Sequence, residues 1–296
     1  MQMIRSGKVK DVYDHGDHLV FKFSDRISVF DKIIPSPIPD KGSSLCRTSA
    51  FWFDLIAQTT DIKSHFIKME DERTMIVRKF NVVNRSPDRF RSDYVIPLEF
   101  VTRYYVAGSL MDRIKSGSIN YKSLGFKNLP EYGEELPDPY FEMTTKHEKF
   151  DRPLSSAEAA DIGGLTSAEI DHIRECTFTI DRRIQRQVGK SGLIHADGKK
   201  EYAFDLDRSL VVVDTFGTAD EDRFWEAKAY NEKKIVELSK ESVRQYYRDI
   251  GYHDDLYSAR ASGIKEPEIP DLPKEMIQKT SALYRRMYEL ISGKKW

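Results

Sequence analysis

Alternating polar and apolar residues fill much of the first eighty positions, a pattern typical of strands with one buried face. One alternating run covers residues 8–13, and a second covers residues 18–23 after the turn-prone residues 14–17. Two such runs joined by a short turn predict a β-hairpin. Residues 44–59 carry clustered aromatic and aliphatic side chains and predict a helix, and residues 74–80 predict another strand.

The middle of the chain predicts a boundary, a strand, a loop and two helices. Residues 84–93 are polar and rich in arginine, which predicts either a domain boundary near residue 82 or an exposed loop. Residues 94–105 have strand composition, whereas prolines at 130, 137 and 139 predict a loop over residues 130–149. The pairs Ser155 with Glu158 and Thr166 with Glu169 are capping-box patterns that predict two helix starts. The second helix carries isoleucines at three- to four-residue spacing and ends near residue 189.

The C-terminal third predicts short strands followed by helices. Residues 194–196, 201–204 and 210–213 are strand-like, and the last two are separated by residues 205–209, which predicts a hairpin. Residues 222–250 predict one long charged helix or a helix pair. A final helix is expected to open at residues 271–273 and to present one apolar face.

Composition narrows the possible functions. The chain has 296 residues, with 47 Lys+Arg against 48 Asp+Glu, a net charge of −1, and 40% hydrophobic residues. A neutral protein has no global electrostatic reason to bind nucleic acid or an anionic membrane. We find neither an apolar run long enough to span a bilayer nor a signal-peptide pattern. Cys46 and Cys176 make no disulfide framework, so we expect reduced thiols and a cytoplasmic protein.

Two segments could hold a phosphate group. The glycine turn at Gly7, with Lys8 and Lys10 after it, would let backbone N–H groups and two ammonium groups approach an anion. An ordinary strand with exposed lysines explains the same residues. Later, Arg103 precedes the small turn of Gly108 and Ser109, where a guanidinium and N–H groups could bind phosphate.

Two acidic patterns stand at the ends of strand-like runs. Glu201 begins one run of the predicted hairpin and Asp214 follows the other, so the two carboxylates should meet at one end of a sheet. Paired carboxylates with few other ligands suit Mg²⁺ on a nucleotide, although acidic residues also simply end strands. Asp25 and Asp31 flank an alternating run, and by themselves they indicate only a strand bounded by turns.

An RNA-binding module is the non-enzymatic alternative. Residues 78–105 interleave six basic residues with aromatic ones, as single-strand binding platforms do. The neutral overall charge argues against it. The seven histidines form no metal motif, and no G-x-S-x-G or G-x-G-x-x-G occurs, which argues against hydrolase and dinucleotide-oxidoreductase functions but not against ATP chemistry.

Taken in order, eight segments resemble the SAICAR synthetase family (phosphoribosylaminoimidazole-succinocarboxamide synthases). They span residues 6–225, and together they are more specific than any one of them. The matching segments are SGKVKDVY at 6–13, DRISVFD at 25–31, IPDKG at 38–42 with FWF at 51–53, VRK at 77–79, PLEFVTR at 97–103 with AGS at 107–109, TTK at 144–146, DGKKE at 197–201, and Asp214 through Asp220 to RFW at 223–225.

The resemblance implies a fold and a reaction. The fold is α+β, with a small β-rich N-terminal domain at residues 1–81, a larger mixed α/β domain at residues 82–296, and an ATP cleft between them. The reaction joins L-aspartate to the carboxylate of CAIR through an acyl phosphate, giving SAICAR, ADP and phosphate in purine biosynthesis. ATP and Mg²⁺ are the implied cofactors, CAIR and L-aspartate are the partners, and we expect a homo-oligomer without nucleic-acid or membrane partners.

The resemblance also assigns roles to residues. Asp31, Lys199 and Asp220 are the implied catalytic residues. Glu201 and Asp214 are the implied Mg²⁺ ligands. The implied ATP-binding residues are Gly7, Lys8, Lys10, Arg78 and Lys79. The implied substrate-binding residues are Arg103, Gly108, Ser109, Lys146, Asp197 and Arg223.

Four positions depart from the family pattern. The family usually has glycine at Asp40, phenylalanine at Gly198, glutamate at Thr215 and proline at Ala219. None of them is an implied catalytic residue. A kinase-like phosphotransferase is the alternative enzyme, because a nucleotide-binding hairpin with a two-carboxylate metal site would also serve transfer to a hydroxyl group. Such an enzyme would need an Asn after Asp197, and residues 190–200 contain none.

Overall fold

A computed structural model describes residues 2–83, 86–146, 148 and 152–296, and its mixture of sheets and helices confirms the α+β class. The strands are β1 Gln2–Ser6, β2 Lys10–Asp14, β3 His18–Phe23, β4 Ser28–Val29, β5 Lys32–Ile33, β6 Lys63–Ser64, β7 Phe66–Asp71, β8 Thr74–Arg78, β9 Asn81–Val82, β10 Tyr94–Val95, β11 Leu98–Tyr105, β12 Glu135–Thr145, β13 Pro153–Leu154, β14 Leu193–Phe204, β15 Leu210–Val213 and β16 Arg223–Glu226. The helices are α1 Lys41–Thr59, α2 Ser109–Lys115, α3 Ser156–Gly163, α4 Ser167–Gly189, α5 Ala227–Asn231, α6 Glu241–Asp249, α7 Tyr252–Ser262 and α8 Lys274–Ser292, with a 3₁₀ turn at Tyr121–Leu124.

Internal contacts divide the chain into two compact units. Unit 1 contains Met1–Phe51, Ile67–Arg78 and Glu237–Trp296, and unit 2 contains Trp52–Phe66 and Lys79–Val236. Unit 1 therefore includes the C-terminal helices as well as the N-terminal strands. The division into domains 1–81 and 82–296 stays a prediction from the sequence.

Unit 1 is built on a five-stranded sheet with the order β1-β2-β3-β8-β7. The predicted hairpin is confirmed, because β2 pairs antiparallel with β3 and the His15 N–H donates to the His18 carbonyl across the turn. Helix α8 packs within the same unit, where the buried Ser44 hydroxyl donates to the Tyr284 carbonyl over 2.6 Å. The predicted helix over residues 44–59 is confirmed as α1, and the predicted last helix is confirmed as α8.

Unit 2 is built around β14, a twelve-residue strand where the sequence predicted two shorter ones. It pairs antiparallel with β11, β10, β15 and β16. The predicted hairpin with β15 is confirmed: Phe204 lies opposite Leu210, so the loop contains residues 205–209. On β14, Glu201 lies opposite Val213 of β15, and Asp197 lies opposite Arg223 of β16. Strand β14 therefore brings distant parts of the chain close together.

Helix α4 confirms its predicted start and length. The Thr166 hydroxyl accepts from the Glu169 N–H, and the Glu169 carboxylate accepts from the Thr166 N–H, which completes the capping box. The isoleucine stripe is buried, including Ile173, Ile180 and Ile184. Helix α3 begins with the same motif at Ser155.

Two sequence predictions are wrong. Residues 130–149 contain β12 rather than a loop alone. The pairing of β12 with β11 is irregular between the pairs Arg103–Tyr140 and Tyr105–Glu135. Pro137 and Pro139 lie in this irregular stretch, where the backbone N–H that proline lacks is not needed for pairing with β11. Residues 222–250 begin with strand β16, and the left-handed Lys233 (φ 63°) follows the short helix α5. The two apolar residues of β16, Phe224 and Trp225, are too few to distinguish a strand from a helix by periodicity.

Candidate active site

Strand β14 carries three predicted site residues on one of its faces. Asp197, Lys199 and Glu201 alternate along the strand, and Arg103 lies opposite Asp197 on the neighbouring strand β11. Glu99 of β11 shares this face, as its contact with Lys199 shows. The run D-G-K-K-E therefore presents its charged first, third and fifth residues together, as strand periodicity requires.

The ammonium group of Lys199 lies at the centre of a group of carboxylates. Its Nζ is 2.7 Å from a Glu99 oxygen and 3.4 Å from oxygens of both Glu201 and Glu221. Burial alone would lower the pKa of Lys199, but the charges of Glu221, Glu99 and Asp214 outweigh it and raise this pKa above its ordinary value. Lys199 is consequently a fixed positive charge at neutral pH.

The predicted metal residues adjoin this group. Glu201 of β14 lies opposite Val213 of β15, and Asp214 is the residue after Val213, with a left-handed φ of 62°. Glu201 and Asp214 are therefore close to each other across the β14–β15 pairing. Both influence Lys199, one by contact and the other by its charge. Lys146 also forms an ion pair with Glu201. Carboxylate oxygens are the donors that Mg²⁺ prefers, so the chemistry of this donor set fits the ion.

Arginines form a second group beside the first. Arg103 donates from Nε to Glu142 over 2.7 Å and from Nη2 to the Ser109 hydroxyl over 3.2 Å, and its Nη1 lies 3.5 Å from Asp197. Arg223 forms an ion pair with the same Asp197 carboxylate. The structure thus brings together Arg103, Ser109, Asp197 and Arg223, four of the six predicted substrate-binding residues.

Gly108 provides room for Arg223. Its φ of 51° is left-handed, and a Cβ built there would lie 2.6 Å from an Arg223 guanidinium nitrogen. Any side chain would therefore displace the guanidinium and would also strain the backbone. Helix α2 begins at the next residue, Ser109, which places two predicted substrate-binding residues at one turn.

Asp220 lies in the segment that joins β15 to β16. Its N–H donates to the Thr218 hydroxyl over 3.3 Å, a local turn that precedes Glu221. Glu221 contacts Lys199 and Arg223 contacts Asp197, so the residues on both sides of the turn reach β14.

Unit 1 contains the remaining predicted residues, apart from Lys79 at the start of unit 2. The Gly7 N–H donates to the Lys10 carbonyl over 2.9 Å, which closes the turn before β2. Lys8 forms an exposed ion pair of 2.6 Å with Asp31, and the Lys10 ammonium lies 5.0 Å from the centre of the Phe21 ring. Arg78 ends β8 and Lys79 follows it.

Sequence reasoning missed four charged residues of this site, Glu99, Arg113, Glu142 and Glu221. Glu142, with a side chain only 4% exposed, accepts from both Arg103 and Arg113. It was hidden because the prolines of β12 predicted a loop. Glu99 could have been found, since it is four residues before Arg103 on a predicted strand and so shares its face. Arg113 and Glu142 carried no sequence signal of their own.

Comparison with known proteins decides the family. The SAICAR synthetase family model matches residues 3–258. A phosphoribosylaminoimidazole-succinocarboxamide synthase of Thermoplasma volcanium is 62% identical over the full length of both chains, and one of Nitrosopumilus maritimus is 33% identical over 99% of each. The chain belongs to the SAICAR synthetase family. The predicted family and its enzyme class, a ligase of purine biosynthesis, are thereby confirmed.

Solved SAICAR synthetases share the fold. The solved structure of the Saccharomyces cerevisiae SAICAR synthase in complex with SAICAR superposes with a TM-score of 0.75 at 25% identity, and the match covers 99% of this chain and 95% of the other. A SAICAR synthetase from Pyrococcus horikoshii gives 0.69 at 24% identity, with 97% and 99% of the two chains covered. In the part of the chain that the structure describes, no helix is both long and apolar enough to cross a membrane.

Proposed function

We propose that this protein uses ATP to join L-aspartate to the carboxylate of CAIR, giving SAICAR, ADP and phosphate. One observation carries the proposal beyond family membership: the Arg103–Asp197–Arg223 group and the Lys199 carboxylate group share one face of β11 and β14. Arginine binds phosphate in a forked geometry, so the first group suits the ribonucleotide phosphate. The S. cerevisiae relative, which was solved in complex with SAICAR, supports this substrate class.

The reaction needs two displacements because a carboxylate is a poor electrophile. A carboxylate oxygen of CAIR first attacks the γ-phosphorus of ATP, and ADP leaves. The aspartate amine then attacks the acyl carbon, the C–O bond to phosphate breaks, and the amine gives up a proton as the amide forms. Holding the reactants together supplies much of the acceleration, and fixed charges aimed at the reacting centre supply more.

Lys199 provides a permanent positive charge where anionic reactants would meet, since its pKa is raised. We propose Lys199, Asp220 and Asp31 as the catalytic residues. Gly7, Lys8, Lys10, Arg78 and Lys79 are proposed to bind ATP, and Gly108 and Lys146 to complete the substrate-binding set. Glu201 and Asp214 would hold Mg²⁺, which would offset charge on the nucleotide phosphates. We further propose that the protein is a cytoplasmic homo-oligomer. It is proposed to bind neither nucleic acid nor membranes, because its net charge of −1 gives no general attraction to anionic surfaces.

An isotope experiment tests the acyl phosphate. CAIR labelled with ¹⁸O in its carboxylate is incubated with the protein, ATP, Mg²⁺ and L-aspartate, and the products are examined by mass spectrometry. We expect SAICAR and one ¹⁸O atom in each phosphate released, because the attacking oxygen leaves with phosphorus. Unlabelled phosphate would exclude this intermediate. ADP and a stable phosphorylated alcohol without aspartate would instead indicate a kinase-like transferase.

The metal assignment has its own variant. Asp214→Asn should lower kcat at least 100-fold and should leave the circular dichroism spectrum unchanged, because it removes a proposed Mg²⁺ ligand at the end of β15. Asp207→Asn is the control, since Asp207 is an exposed aspartate in the β14–β15 loop. Activity of Asp214→Asn equal to that of the control would show that Asp214 is not required for the metal.

A further inference from the structure

Lys200 is a lysine with no solvent exposure, directly between two proposed active-site residues in sequence. Its ammonium forms ion pairs with Asp181 of α4 and, at 3.3 Å, with Asp222, and neither aspartate side chain is exposed. Burial alone would lower the pKa of Lys200, but the two carboxylates outweigh it and raise this pKa. A buried charge is retained only when partners compensate it. Lys200, Asp181 and Asp222 therefore form a set that depends on each of its members.

Both aspartates also have hydrogen-bond partners other than Lys200. Asp222 accepts from the Gly217 N–H over 2.9 Å at one oxygen, and its other oxygen lies 2.7 Å from His195 Nε2. Asp181 accepts from the hydroxyls of Thr102 and, at 3.0 Å, Tyr104. The ligand atoms of Asp181, His195 and Asp222 lie within 4.8 Å of one another, as in some metal sites. The Lys200 ammonium already supplies the cation that these carboxylates need.

This buried set lies directly behind the candidate active site. On β11, Thr102 and Tyr104 contact Asp181 of the buried set, whereas Arg103 between them points to the opposite face and contacts Asp197, a proposed substrate-binding residue. On β14, Lys200 faces the set, whereas Lys199 and Glu201 on either side face the other way. Successive strand residues point to opposite faces, so the two groups share the same backbone.

Asp222 lies between two active-site residues in the Glu221–Arg223 segment, just as Lys200 lies between Lys199 and Glu201 on β14. Glu221 before it contacts Lys199 at 3.4 Å, and Arg223 after it pairs with Asp197. A bond from Lys200 to Asp222 thus fixes the two backbones from which four active-site side chains extend. Displacement of Asp222 would shift both neighbours, because they share its peptide units.

We propose that the Lys200–Asp222 pair is a positioning element for the ligase reaction, holding the Glu221–Arg223 segment in register with β14. This inference rests on the proposed function. Lys200 and Asp222 act through their neighbours and do not touch substrate. The role of the pair is to keep Lys199 and Arg223 at the separation that the two displacements require, since small misplacements of reacting groups cost large factors in rate.

Gly198 offers a way to disturb the pair without removing a charge. A Cβ built on Gly198 would lie 2.1 Å from the Asp222 carboxylate oxygen and 2.9 Å from His195 Nε2. Gly198→Ala must therefore push the Asp222 side chain away. Gly189→Ala is a matched control, because a Cβ on that glycine meets no atom within 4 Å.

The experiment measures SAICAR formation, ADP affinity and melting temperature for the wild type and the two alanine variants. We expect Gly198→Ala to lower kcat at least tenfold with the Kd for ADP changed less than twofold, because none of the residues proposed to bind ATP lies on β14 or in residues 221–223. Gly189→Ala should match the wild type. A Gly198→Ala protein that melts earlier but keeps its kcat would overturn the positioning role and leave a structural one.

A charge-neutral pair gives an independent test if the alanine variant does not fold. Lys200→Met leaves the buried carboxylates of Asp181 and Asp222 without their cation. The double variant Lys200→Met, Asp222→Asn also removes the charge of Asp222, so only one of these buried charges remains unpaired. We expect the double variant to regain part of the melting temperature lost by Lys200→Met while kcat stays at least tenfold below wild type, since the link remains absent. Recovery of kcat together with stability would contradict the proposal. A wild-type protein that forms no SAICAR would refute the proposed function instead.

Discussion

Arg260 of α7 donates a hydrogen bond from Nη2 to the carbonyl oxygen of Phe30, over 3.0 Å. Phe30 and Asp31 form the two-residue turn between β4 and β5, and both adopt left-handed φ values, 50° and 65°. Hairpin turns of this kind favour Asn and Gly. A bulky residue such as phenylalanine in this conformation costs roughly 1–3 kcal/mol and persists only where its surroundings hold it.

Those surroundings come from the C-terminal part of unit 1. Glu266 accepts from Arg260 Nε over 3.0 Å and pairs with Lys32 of β5 over 2.7 Å, so it links the helix to the turn. The Phe30 ring packs edge-on against His253 with a centroid distance of 4.8 Å. The turn that carries the proposed catalytic Asp31 is consequently held by residues more than 200 positions away.

The first prediction concerns Arg260. Arg260→Gln should lower the free energy of unfolding by about 1–2 kcal/mol, because it removes charge-assisted bonds at a partly buried position. It should also lower kcat, because the strained turn can then relax and move Asp31. Urea denaturation and the SAICAR assay measure the two effects.

Arg244→Gln serves as the comparison for Arg260. Arg244 is also a partly exposed arginine in a C-terminal helix, and it forms an ion pair with Glu241 of its own helix. We expect less than about 0.5 kcal/mol of destabilisation and unchanged kcat. Equal effects of the two substitutions would show that the Phe30 turn gains nothing specific from Arg260.

Local signals in the sequence were sufficient for several elements. The capping boxes at Ser155 and Thr166 predicted the starts of α3 and α4, because the motif satisfies N–H groups within four residues. The β14–β15 hairpin was predicted with its loop of residues 205–209, since two strand-like runs with polar residues between them leave few alternatives.

Features that depend on distant residues were not predictable in the same way. Pro137 and Pro139 argued for a loop, and only the register against β11 shows that they occupy an irregular stretch of β12. Because that strand was not predicted, the role of Glu142 was not predicted either. The pairing of Lys200 with Asp181 and Asp222 brings together β14, α4 and the segment before β16, and nothing in the neighbourhood of Lys200 indicates it.

The second prediction concerns Glu142, the shared partner of Arg103 and Arg113. Glu142→Gln keeps the shape of the side chain but removes the charge that orients both guanidinium groups. We expect the KM for CAIR to rise about tenfold, equivalent to about 1.4 kcal/mol, because the arginines would no longer be held for the phosphate. The Kd for ADP should not change.

Glu135→Gln tests whether any loss of charge on β12 has this effect. Glu135 is an exposed glutamate at the start of the same strand, so its substitution should leave the KM for CAIR at the wild-type value. Steady-state kinetics with CAIR as the varied substrate decide the matter. A KM for CAIR that stays unchanged in Glu142→Gln would mean that Arg103 and Arg113 need no carboxylate to be positioned.

The third prediction is a pH dependence that arises at the start of α4. Glu169 accepts from Arg208 Nε over 2.7 Å and from the Thr166 N–H over 2.8 Å. Burial alone would raise the pKa of Glu169, but the bonds from Arg208 and Thr166 outweigh it and hold this pKa below its ordinary value of 4.5. The folded state therefore favours the carboxylate more than the unfolded state does.

The sign follows from that difference. Stability contributed by Glu169 is fully present above pH 4.5 and is lost as the pH falls from there through the folded-state pKa. Glu169→Gln should lower the free energy of unfolding by about 1–2 kcal/mol at pH 7, and the gap from wild type should shrink below pH 4.5. Urea denaturation at pH 7, 5, 4 and 3.5 measures it. Glu175→Gln, an exposed position on the same helix, should show no such gap at any pH. A Glu169→Gln gap that persists undiminished at pH 3.5 would show that the charge of Glu169 contributes nothing to the gap, because Gln cannot titrate and its loss of one acceptor oxygen does not depend on pH.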